Sequence, residues 1–206
     1  MQLNSILLAL SAATVAIAGS PVGGGKWAED FPGHNDQHCA GGSVSGNTFK
    51  IPKEADGSHS GSGCSNGHLR AERRFDDYSS GTHQFGGSFK INSMSGDKIS
   101  IKQTFHGSDG PFFIMGVQKN GRLYSVEGGA EIAPAGTADV GKSVRINTVH
   151  NTSTKKFKVY VNGKEAYSED APGGTFYDKI GAYTTNSGSG AMSITWSDVQ
   201  FWHSTK

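Results

Sequence analysis

Thirty of the 206 residues are glycine, and they punctuate the chain from end to end. Between them the apolar runs are short and often alternate with polar residues. Glycine disfavours helix interiors, and alternation over four to eight residues is the period of a half-buried strand. The pattern predicts ten to twelve strands and no helix. Asn120-Gly121 and Asn162-Gly163, each flanked by apolar runs, are hairpin turn signals. No repeat period is present, which disfavours a propeller or solenoid. The expected architecture is an all-β jelly-roll sandwich of two antiparallel sheets with a concave groove.

The first 18 residues stand apart. Ile6 to Ile17 is an apolar, small-residue run, and its end overlaps Ala16-Ile17-Ala18, a small-x-small site. The run is too short to span a bilayer. It is expected to be a secretory signal peptide, leaving residues 19–206 as a single soluble, secreted, extracellular domain. Residues 19–26 read as a flexible leader. Export makes a disulfide between Cys39 and Cys64 the expected state of the two cysteines. Asn151-Thr152-Ser153 is a glycosylation sequon. A formal charge of +1 with no basic run argues against a nucleic-acid partner. His34, His38 and His59 lie in a Gly/Ser-rich stretch, and His34 and His38 would converge on a metal only on a helix that the glycines oppose. No cofactor is expected, although a structural calcium stays open, and the chain is expected to act as a monomer.

Three segments carry unusual polar faces. In Phe176–Tyr183, period two places Tyr177, Lys179 and Tyr183 on one face around Gly181, with Asp178, Ile180 and Ala182 on the other. In the segment 68–75, His68, Arg70, Glu72 and Arg74 share a face. A glutamate between two arginines holds both guanidinium forks in place to take a carboxylate. In the segment 98–106, Ile99 and Ile101 point one way and Lys102, Thr104 and His106 the other. Gln103 then falls on the core side unless a bulge shifts the register.

These segments, in this order, resemble the alginate-lyase-type polysaccharide lyases (family 7 and the related family 20 glucuronan lyases), which have a concanavalin A-like fold. Arg70-Ala71-Glu72-Arg73-Arg74 fits that family's R-x-E-x-R strand. Gln103-Thr104-Phe105-His106 resembles its Q-I-H strand, and Tyr177 to Tyr183 fits Y-x-K-x-G-x-Y. The resemblance runs from about residue 27 to the end. It implies β-elimination on a uronate polymer, an anionic polysaccharide such as glucuronan or alginate. Arg70 would neutralise the uronate carboxylate and Tyr177 would be the acid. Tyr177, its phenol pKa lowered by Lys179, Arg70 or Arg74, or else His106 would be the base. His68, Glu72, Arg74, Gln103, Thr104, Lys179 and Tyr183 would hold and contact substrate. The family's Gln and His are two apart, whereas Gln103 and His106 are three apart. Either a bulge returns Gln103 to the groove or Thr104 takes its place. The rival is a non-catalytic carbohydrate-binding or host-interacting protein on the same fold. A sandwich glycoside hydrolase would need paired carboxylates at alternate positions, and no E-x-D-x-x-E run is present.

Overall fold

A computed structural model of the chain describes residues 19–58, 64–185 and 188–206. The signal segment 1–18 and His59 lie outside the described residues. Fifteen strands and no helix are found among the described residues. The excess over the expected number comes from two three-residue strands, Ser43–Ser45 and Glu131–Ala133, and from the polar strand His34–Cys39.

Two antiparallel sheets pack face to face. The first holds β13 (Lys164–Asp170), β12 (Lys156–Val161), β11 (Ser143–Asn151), β6 (Thr82–Met94), β15 (Met192–Thr205), β4 (Thr48–Ile51) and β3 (Ser43–Ser45) in that order, and β1 (Lys26–Asp30) also pairs with β15. The second runs β10 (Glu131–Ala133), β9 (Leu123–Ser125), β8 (Pro111–Gln118), β7 (Lys98–His106), β14 (Phe176–Tyr183), β5 (Arg70–Phe75) and β2 (His34–Cys39). The three polar segments therefore lie on three adjacent strands, β7, β14 and β5.

The inner faces meet in a core that includes Phe49, Phe85, Phe89 and Trp196 from the first sheet and Ile99, Ile101, Phe113 and Met115 from the second. Burial of such side chains is the main driving term for a sandwich of this size. β2 was not expected, because its sequence is polar. It survives as an edge strand because every residue from His34 to Cys39 pairs with β5, and its Cys39 is joined to Cys64 across a Cα–Cα distance of 5.5 Å. The leader is also more ordered than expected: Val22 N donates to Gln84 Oε1 at 2.7 Å on the outer face of the first sheet. No helix among the described residues is long and apolar enough to cross a membrane.

One irregularity decides which residues of β7 reach the groove. Ser100 pairs with Gly116 of β8 and Lys102 with Met115, so β7 carries one extra residue between them. A bulge of this kind reverses the inside–outside alternation beyond it. Ile99 and Ile101 are buried in the core, and beyond the bulge Lys102 and Thr104 are buried there too. Lys102 Nζ donates to Asp178 Oδ1 at 2.6 Å and to Thr104 Oγ1 at 2.9 Å, and Thr104 Oγ1 donates to Asp178 Oδ1 at 2.7 Å. The pair survives burial because each charge meets its counterion and a hydroxyl. Lys102 and Thr104 are thus not groove residues. Gln103 and Phe105 take the groove face instead.

Candidate active site

Cross-strand partners share a face, so the register lays the groove out as a grid. Tyr183 stands opposite Arg70, Gly181 opposite Glu72 and Lys179 opposite Arg74 on β5. On the other side of β14, Lys179 stands opposite Gln103 and Tyr177 opposite Phe105. Gly181 has φ +139°, and a Cβ there would fall 2.2 Å from the Ala71 carbonyl oxygen. Glycine keeps this strand close enough to β5 for the grid to form.

Glu72 is the hub. Its carboxylate accepts from Arg70 Nη1 and Gln103 Nε2, and Lys179 Nζ lies 3.6 Å away. Lys179 also donates to Gln37 Oε1 at 2.7 Å, and burial, only partly offset by Glu72, lowers its pKa. One carboxylate so fixes two cations and an amide on the groove floor. Arg70 Nε is buried and has no hydrogen-bond partner among the described residues.

An open pocket of about 470 Å³ lies over Arg70 and Gln103, and Asn66, His68, Tyr183 and Phe105 also line it. The Tyr183 hydroxyl lies 2.8 Å from His68 Nδ1 and accepts from Asn66 Nδ2 at 2.9 Å. Asn66 Oδ1 accepts the His68 backbone N–H at 3.1 Å. That bond fixes the amide orientation, so Nδ2 is the atom that faces Tyr183. Burial raises the Tyr183 pKa despite the nearby Arg70 charge. The phenol therefore keeps its proton at neutral pH, and in the His68 tautomer that leaves Nδ1 unprotonated the phenol donates to Nδ1. The Arg70 guanidinium sits 4.5 Å from the Tyr183 ring centroid.

The other expected residues fall elsewhere. Tyr177 is on the groove face but six residues from Tyr183, about 20 Å along the strand, and it does not line the pocket. Its ring stacks on Phe105 at 4.8 Å and is capped by Arg74 at 4.0 Å. Its pKa is raised, not lowered: burial outweighs the hydrogen bond and charge of Arg74. His106 stands opposite Phe176 and shares its inward face. Its ring stacks on Phe176 at 5.4 Å, and its Nδ1 lies 3.2 Å from Asp109. The reason is the bulge, which gives its groove place to Phe105. Arg74 is tied to Asp77 at 2.5 Å. Asn66, Gln37 and Phe105 escaped the sequence reading. Asn66 follows Cys64 closely, and the crosslink to β2 was the one signal that its loop would return to the groove. No group of three or more His, Cys, Asp or Glu among the described residues is placed to hold a metal.

No family model matches the chain, and no curated protein matches it either. Solved structures do match. A family 7 alginate lyase, A1-II′, in complex with product aligns at TM-score 0.60 and 16% identity over 87% of this chain and 95% of that one. The alginate lyase from Corynebacterium sp. aligns at 0.59 and 20% over 79% and 81%. Alginate lyase AlyC3 in complex with dimannuronate aligns at 0.55 and 13% over 77% and 75%. The chain has the alginate-lyase jelly-roll fold. At these identities the likeness speaks for that fold, and function has to be argued from the pocket.

Proposed function

We propose that this protein is a polysaccharide lyase that cleaves a uronate-containing polymer by β-elimination, with Arg70, Gln103, Tyr183 and His68 as its working residues. The carrying observation is the pocket in which a carboxylate-binding pair, Arg70 and Gln103, lies beside a tyrosine–histidine pair 2.8 Å apart. The C5 proton of a uronate is weakly acidic, and its removal becomes feasible when the adjacent carboxylate is held by cationic donors as charge moves onto it. Arg70 is set for this, because it lines the pocket and its Nη1 is braced by Glu72.

In the proposed step the Tyr183 proton passes to His68 Nδ1 and the phenolate oxygen removes the C5 proton. The electron pair left on C5 forms the C4=C5 double bond, and the C4–O bond breaks. Tyr183 gives the proton it has gained to the departing oxygen, and His68 returns its own to Tyr183. Atoms and charge balance with no added reagent. The role first expected of Tyr177 and His106 passes to Tyr183 and His68, the pair beside Arg70. Lys179, Arg74 and Tyr177 continue the groove and would meet neighbouring uronates of the chain. Export, proposed from residues 1–18 and the disulfide, would place the enzyme where such polymers occur.

The test is incubation with glucuronan and alginate while following ultraviolet absorbance of the unsaturated product. Growth of the signal, lost in Tyr183→Phe, supports the proposal. A non-catalytic carbohydrate-binding role draws support from one observation, the absence of His106 from the groove. It would show as polymer binding without unsaturated product.

A further inference from the structure

We infer that the pocket acts on uronates whose C5 hydrogen and C4 oxygen lie on the same face of the ring, and that Phe105 is the residue that excludes the opposite stereochemistry. This rests on the lyase reading above. In 1,4-linked β-mannuronate and β-glucuronate the two groups share a face, so one relay can take the proton and return it. In α-guluronate, the C5 epimer of mannuronate, they lie on opposite faces, and a second proton acceptor must approach from across the ring.

The strand order separates the two sides of the pocket. Its groups suited to proton transfer, His68 and Tyr183, sit with Asn66 on the β14–β5 side. Across Gln103, the β7–β9 side presents Phe105, Pro111, Ile114 and Val126. Among the described residues that line the pocket on that side, the ionisable one is Glu127, whose side chain is exposed at the rim; Tyr124, opposite Gly116 on the same face of the sheet, does not line the pocket. Phe105 occupies the groove position two residues beyond Gln103 and lines the same pocket as His68, on the other side of Gln103. Its ring is held in place by Tyr177 behind it, with the planes only 11° apart, and by Lys179 Nζ 4.5 Å from its centroid. Lys179 is itself bound to Gln37 and Glu72. The β7–β9 side therefore contacts the sugar without taking a proton from it.

The experiment measures unsaturated-end formation from mannuronan, glucuronan and guluronan by the wild type, Phe105→His, Phe105→Leu and Glu127→Gln. The wild type is expected to cleave mannuronan or glucuronan at least ~100-fold faster than guluronan, the span that one well-placed acid–base group supplies. Phe105→His is expected to raise the guluronan rate relative to the preferred polymer at least tenfold, while Phe105→Leu and Glu127→Gln leave that ratio where it was. Comparable cleavage of guluronan by the wild type, or no change of ratio in a Phe105→His variant that still cleaves the preferred polymer, overturns the inference and leaves the lyase reading standing. No cleavage of any of the three polymers by the wild type overturns both.

Discussion

Tyr183 and His68 are 115 residues apart in the chain, yet the tyrosine hydroxyl and the histidine Nδ1 meet at 2.8 Å. Asn66 closes the arrangement by bonding the Tyr183 oxygen with one end of its amide and the His68 backbone with the other. If this pair moves the proton, the reaction depends on it far more than on Tyr177. Tyr177→Phe is expected to keep most of the elimination rate, and His68→Ala to lose about 100-fold or more in kcat with KM little changed. Steady-state kinetics on the preferred uronate polymer checks both, and added imidazole should partly restore His68→Ala.

Glu72 holds Arg70, Gln103 and Lys179 at once. Removing its charge leaves buried cations without their counterion, and breaking such a pair costs roughly 3–5 kcal/mol. Glu72→Gln is therefore expected to lower both the unfolding free energy in denaturant and the affinity for uronate oligomers. A variant with unchanged stability would show that the hub is not structural.

The crosslink from Cys39 to Cys64 ties β2 to the loop that delivers Asn66 and His68. Closing a loop of 25 residues stabilises the fold by about 3 kcal/mol in the chain-entropy picture. The Cys39→Ala/Cys64→Ala double variant should lose that much in denaturant unfolding. It should also lose kcat under conditions where it is still folded, because Tyr183 then has a mobile partner.

His150 is buried among Phe112, Phe157 and Phe176 and accepts or donates at 3.0 Å with Tyr78. Burial, the largest cause, lowers its pKa to about 4. Its folded value lies below its unfolded value near 6.5, so the unfolded chain binds more protons between them. Stability from this residue is complete above about pH 6.5 and declines as pH falls towards 4, by at most ~1.4 kcal/mol per pH unit. Denaturant midpoints across that window should fall for the wild type and fall less steeply for His150→Asn.

Much of the fold was legible because glycine spacing and alternation are local signals. The strand faces of β5 and β14 followed directly from period two, and so did Gly181. The β7 face did not. Reading Ile99 and Ile101 as core was right; plain alternation then assigned Lys102, Thr104 and His106 to the groove, and a bulge returning Gln103 stood as the open alternative. A single extra residue in β7 reversed this, and a bulge leaves no mark in the sequence of one strand, because it is defined by the partner. The same limit explains Lys102 and Asp178. Period two put Asp178 on the inner face without a partner and Lys102 on the groove face, and only the structure brings the two within 2.6 Å inside the core. Tyr177 and Tyr183 look alike in sequence; only the cross-strand register distinguishes the one beside Arg70 from the one beside Phe105.

The central claim is elimination driven from Tyr183 beside Arg70. It is tested most directly by following the unsaturated product from glucuronan and mannuronan with the wild type, Tyr183→Phe and Tyr177→Phe side by side. Product should appear with the wild type and Tyr177→Phe, and should fall by at least ~100-fold in Tyr183→Phe, which still binds the polymer. Normal turnover by Tyr183→Phe, or no product from the wild type on either polymer, would contradict the account.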